Sequence, residues 1–191
     1  HLPHSPSFKD VVINDVDRNI AVMKTTVGYK KEIHTLPNET FDIGDYVVFE
    51  NKTYLITEID NDKDVYTSGK MEECNFVIKW QNSTGTILSY PCITSNKSFS
   101  QEEDKVITLP ANQKAILLPY DENTSALSAD KRMYVDKRNK SPYNIIGDLD
   151  TTTFNYGDKG LINFVMEQSL SQDNTALPDR PDLGICNYIE P

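Results

Sequence analysis

Little in this sequence bridges, spans or cradles. Only 3 cysteines occur in 191 residues, at Cys74, Cys92 and Cys186. An odd number at wide spacing is no disulfide framework, and no Cys-x-x-Cys offers a metal or redox motif. The expectation is three buried or half-buried thiols. No stretch nears the ~18–20 apolar residues that span a bilayer. The longest apolar pieces, such as Val47–Phe49 and Ala115–Leu118, are strand-sized. The opening His1–Phe8 has neither a basic start nor a long apolar core, which is not the pattern of a signal peptide. With 8 glycines there is little room for a phosphate cradle, and neither Gly-x-x-x-x-Gly-Lys nor Gly-x-Gly-x-x-Gly occurs. Basic charge is scarce too: 19 Lys+Arg against 29 Asp+Glu leaves −10, and acids outnumber bases on both sides of residue 110. Avid binding to nucleic-acid phosphates is therefore not expected.

Chemical constellations are equally thin. Asp60-x-Asp62-x-Asp64 begins like a calcium loop, but Val65 and Met71 stand where the glycine and the bidentate glutamate belong. His34 is the only histidine well inside the chain, and no serine sits in Gly-x-Ser-x-Gly. The reading is a chain without catalytic residues, metal or cofactor, hence no enzyme. Six Asn-x-Ser/Thr triplets, beginning at Asn38, Asn51, Asn82, Asn96, Asn123 and Asn139, are read as chance in a chain rich in these residues.

What is abundant is the alternation of short β-rich runs with turn residues. Strands are expected at Asn19–Lys24, Asp45–Phe49, Thr53–Ile59, Val65–Tyr66, Cys74–Trp80, Thr86–Ile93, Lys105–Leu109, Gln113–Leu118, Arg132–Val135, Tyr143–Ile146 and Leu161–Met166. Phe76, Ile78 and Trp80 fall on one face by the period of two. Pro91 cannot donate to a ladder, so its strand ends, bulges or lies at an edge there. Asp121–Asp130 is the best place for a short helix, with Asp121 as its cap. This spacing means an all-β fold, a small β-barrel or sandwich with long loops and at most a short helix. One domain is expected: an N-terminal arm with the first strand or strands over 1–40, a core over 41–170, and an extended segment over 171–191. Lys105–Leu118 reads as continuous across Pro110. Trp80 reads as a core anchor. The one basic cluster, Lys131, Arg132, Lys137, Arg138 and Lys140, is the candidate contact for a partner.

The runs Gly44–Ile56, Gly69–Trp80 and Tyr90-Pro91-Cys92, and more weakly Lys131–Asp136 and Leu183–Pro191, resemble a family of tailed-phage proteins. Its members are encoded among the head–tail connection genes of phages of low-GC Gram-positive bacteria. The resemblance implies a connector, head-closure or stopper protein in the virion neck. Such a protein is a small β-barrel in a ring, assembled in the host bacterial cytoplasm. It implies neighbouring copies, portal or adaptor proteins and tail proteins as partners, with genomic DNA passing without sequence-specific binding and no membrane. No catalytic residues come with it. On this reading the acidic loops Asp60, Asp62, Asp64 and Glu102, Glu103, Asp104 face the DNA channel and repel its phosphates. A β-sandwich adhesin or receptor-binding module is the alternative, using exposed aromatics among Tyr54, Tyr66, Tyr90 and Tyr120.

Overall fold

A computed structural model of the chain describes residues 6–60, 65–169 and 177–190. It is all-β, as the alternation predicts. The expected single core is instead divided between two compact units. One takes in the residues up to Cys74 together with Asn155–Leu161. The other takes in Asn75–Phe154 and the residues from Ile162 on. The boundary falls within the run read as one strand, Cys74–Trp80. The Cys74 N–H donates to Thr53 in the first unit, and the Asn75 N–H donates to Cys92 in the second. Two neighbouring peptides thus pair into different sheets.

The first unit is a closed six-stranded barrel. Its strands are β1 Phe8–Ile13, β2 Val16–Lys24, β3 Lys30–His34, β4 Tyr46–Phe49, β5 Lys52–Asp60 and β6 Ser68–Glu73. They are ordered β1-β2-β3-β6-β5-β4 around the barrel. Two hairpins turn on two residues each, both at positive φ: Asn14 (47°) with Asp15 (66°), and Glu50 (50°) with Asn51 (61°). That geometry matches the right-handed strand twist, and Asn and Asp tolerate it without glycine. The residues expected to hold an arm with the first strand or strands carry three barrel strands, β1 to β3. Val12 and Ile13 of β1 pair with Val48 and Val47 of β4, which closes the barrel. Val11, Ile13, Ile20, Ile33, Val47 and Ile56 are among the side chains packed inside. A bulge between Ile56 and Glu58 brings the β5 backbone toward β6. A Cβ at Gly69 would strike the Glu58 carbonyl, so glycine is required there. Val65–Tyr66, expected as a strand, is not one; the strand begins at Ser68.

The second unit is built on a sheet of β7 Phe76–Gln81, β8 Ile87–Ser95, β9 Gln113–Pro119, β10 Arg132–Tyr134, β11 Pro142–Asp150 and β13 Lys159–Gln168. The order is β10-β11-β13-β9-β8-β7, with β7 and β10 at its ends. The short β12, Asn155–Tyr156, forms a hairpin with the start of β13 that belongs to the first unit. There Lys159 lies 3.6 Å from the buried Asp45. Ala115–Pro119 is buried at every residue, as a central strand covered on both faces must be. Ile78 and Trp80 share the core face with half-buried Phe76, as predicted. Trp80 stacks on Tyr90, centroids 5.1 Å apart. Pro91 is tolerated because β8 pairs with β7 over 87–92 and with β9 only over 93–95. The helix α1, Glu122–Ser125, is capped by Asp121 in a reciprocal box with Thr124. Lys105–Leu109 is not a strand. A 3-10 turn at Glu103–Lys105 and a single bridge from Lys97 to Thr108 replace it. All three cysteines are free thiols.

Candidate functional site

The basic cluster expected to meet a partner is divided by the fold. Arg132 lies on β10 with its side chain 9% exposed. Both guanidinium nitrogens Nη1 and Nη2 donate to the Asp179 carboxylate at 3.0 Å, and Nη1 also donates to Asn187 Oδ1 at 2.6 Å. This is the planar two-pronged recognition of a carboxylate for which arginine is suited. Lys131 donates to the Gln81 carbonyl at 3.1 Å, and burial lowers its pKa. Both residues are therefore bonded within the unit. Lys137, Arg138 and Lys140 are exposed on the β10–β11 loop, with Arg138 3.6 Å from Asp136.

Residues 177–190 are not an extended tail. Arg180 and Ile185 exchange backbone hydrogen bonds at 2.8 and 3.1 Å, which folds the segment into a tight loop. Ile185 and Cys186 are buried. The Gln81 side chain accepts from the Ile189 N–H at 2.7 Å and donates to the Ile189 carbonyl at 2.9 Å. Asn139 donates to the Pro181 carbonyl at 2.9 Å. The segment is thus held by side chains from β7, β10 and the loop after β10. Burial, and then the Asp179 charge, push the Cys186 thiol up to about 12. Burial, with Cys186 next, does the same to the Tyr134 phenol. Sequence reasoning misses Gln81, Asp179 and Asn187. The only signal is Pro178-Asp179-Arg180-Pro181-Asp182, a turn-forming stretch whose acids need partners.

The acidic residues do not form one cluster. Asp60 ends β5 in the first unit and is exposed. Glu102 and Asp104 are exposed in the second, and Glu102 pairs with Lys105 at 2.9 Å. Asp62 and Asp64, and the Glu103 side chain, lie outside the described residues. Among the described residues no three His, Cys, Asp or Glu side chains gather as metal ligands. His34 lies on β3, 3.1 Å from Glu32 and edge-on to Tyr66. Of the tyrosines proposed for the adhesin, Tyr54 is buried and Tyr66, Tyr90 and Tyr120 are half-buried. The Tyr90 hydroxyl donates to Asp121 at 2.6 Å.

The register places two loops of the second unit at one end. Ser95 pairs with Ala115 just before the β8–β9 connection. The Gln168 N–H donates to Asn112, Gln168 pairs with Tyr143, and Tyr134 pairs with Pro142 across the β10–β11 loop. Both connections leave from that end. The first carries Glu102, Asp104, Val106 and Ile107, the last 62% exposed. The second carries the three exposed cations. Beyond the bridge the β8–β9 connection is anchored by Gln101, whose side-chain amide donates to the Thr153 carbonyl.

Two family models match, and their limits follow the two units. Residues 6–73 match the YomX N-terminal domain, and residues 76–167 match the YomX C-terminal domain. The chain belongs to the YomX family. This family is phage-derived, so the chain is a phage protein. No curated protein and no solved structure matches it. The gap between the YomX matches falls at the Cys74–Asn75 boundary where backbone pairing changes sheets. The YomX C-terminal match stops short of the segment 177–190.

Proposed function

We propose that this YomX-family protein is a structural component of the phage particle, placed in the neck between portal and tail. The observation that carries the reading is the concentration of contact-ready side chains at one end of the second unit. There Ile107 and Val106 stand exposed beside acids on one loop, and Lys137, Arg138 and Lys140 stand exposed on the other. Exposed apolar side chains rimmed by charge suit docking to protein neighbours. Subunits of a ring need surfaces that complement one another, and charges of both signs on the two loops supply steering and register. Membership of a phage-derived family supports a partner within the particle. The exposed acids Glu102 and Asp104 on the first of these loops suit a surface along which DNA slides without sticking.

Gold-labelled antibody to this chain, viewed on phage particles by electron microscopy, tests the reading. Label confined to the head–tail junction is the expected result. Label at the tail tip or capsid surface would overturn it in favour of a receptor-binding role, and absence of label would remove the chain from the particle. Neutralising Glu102 and Asp104 tests the sliding surface separately: unchanged DNA retention and ejection would refute it.

A further inference from the structure

The segment 177–190 behaves as a preformed ligand seated on the second unit. Its internal bonds hold its shape. The Arg180–Ile185 exchange closes the loop, the Asn187 N–H donates to Asp179 at 3.0 Å, and the Tyr188 N–H donates to the Pro178 carbonyl at 2.8 Å. The Arg180 guanidinium lies 5.3 Å from the Tyr188 ring centroid. A peptide already in its bound shape loses little conformational freedom on docking. The sheet supplies a built site for it. Arg132 sits on one end strand and Gln81 on the other, and both are at least nine-tenths buried with polar atoms on the segment. The segment is bound by one buried side chain from each end strand and lies beyond the residues matched to the family's C-terminal domain.

We propose that the place where β7 and β10 approach one another is a peptide-binding site that also takes the 177–190 segment of a second copy, so that copies join by exchanging it. Exchange preserves every contact made within one copy, because donor and acceptor are the same chain. In dilute solution the copy's own segment wins, since tethering gives it an effective concentration on the order of mM. Crowding of copies on a common platform shifts the balance toward exchange. The inference stands whether or not the particle position proposed above is right.

Charge reversal tests it. R132E and D179R each set like charges against one another within the copy, so each alone is expected to be monomeric with its segment released. Cys186, buried by docking, reports this as a roughly tenfold or greater rise in alkylation rate, located by mass spectrometry. Mixed in equal amounts, the two variants offer the unaltered Arg132 of one copy to the unaltered Asp179 of the other. In the same pair of copies the introduced glutamate at position 132 meets the introduced arginine at position 179. Heterodimers with protected Cys186 are expected by native mass spectrometry. The double variant R132E/D179R restores the pair within one copy and is expected to be monomeric and protected. A protected double variant beside a mixture that stays monomeric and reactive would overturn exchange. Failure of both to protect Cys186 would overturn the pair as the docking determinant. The unaltered chain gives an independent reading. A synthetic peptide of residues 177–190 carrying Cys186→Ser, added at mM concentration, is expected to displace the chain's own segment and speed labelling of its Cys186. Unchanged labelling would overturn the site's ability to accept a segment from outside.

Discussion

The two units solve one problem differently. The first closes its sheet on itself: β1 meets β4, and every strand has two neighbours. The second stops at β7 and β10, which approach one another without pairing, and ties both to a loop from far along the chain through side chains. Closure through backbone pairing depends on strand number and register and hardly on any one polar side chain. Completion through a docked loop concentrates stability in a few side chains, above all Arg132 and Gln81. The first arrangement is robust to surface change, and the second is open to exchange and control.

Substitutions can break this contrast. The largest effect is expected from Ile33→Ala in the barrel, where losing a fully buried side chain costs about 4 kcal/mol. Calorimetry should show the first unit's transition falling. Arg132→Ala should cost ~3 kcal/mol, because it strands the Asp179 carboxylate at a largely buried pair. Hydrogen exchange should quicken in β7 and β10 and stay unchanged in β1–β6; equal loss in both units would erase the contrast. Gly69→Ala should cost ~2 kcal/mol by crowding the bulge against Glu58, with the first unit alone affected in denaturant titration. Asp121→Ala removes the cap of α1 and should cost about 1 kcal/mol, read in the same titration of the second unit.

Acid gives a smaller and sharper comparison. Burial alone would raise the Asp150 pKa, but hydrogen bonds from Thr153, Thr152 and Asn163 prevail and hold it at about 2, against an ordinary value of 3.8. The depressed value means that its stabilising contribution is whole above pH 3.8 and fades as pH falls toward 2. Asp150→Asn should therefore flatten the acid dependence of the second unit's urea midpoint in that window. An identical slope in the variant would refute the assignment.

The fold class was legible because burial in a sheet imprints a period of two. The β4–β5 and β7–β8 hairpins, the cap at Asp121 and the placement of Trp80 were readable from neighbours in sequence. The barrel's first strands were less so. Asn14-Asp15 turns without glycine, and in β3 the titratable Lys30, Lys31, Glu32 and His34 surround a single buried Ile33. The two-unit division was hidden because a strand-like run continues across Cys74–Asn75 while its pairing partners change. The candidate site was the least legible. Arg132 and Lys137 look alike as cations in a cluster, and only the partner at Asp179 separates a buried ion pair from an exposed charge.

The bond between Gln81 and Ile189 spans 108 residues of chain. During synthesis at ~5–20 residues per second, β7 leaves the ribosome on the order of ten seconds before its covering loop exists. The barrel strands are complete by Glu73, and their unit waits only for the hairpin at Asn155–Leu161. Contacts so distant in sequence also slow folding, because loop closure precedes their reward. The nascent second unit thus holds the Gln81 side chain without its Ile189 partner throughout that interval.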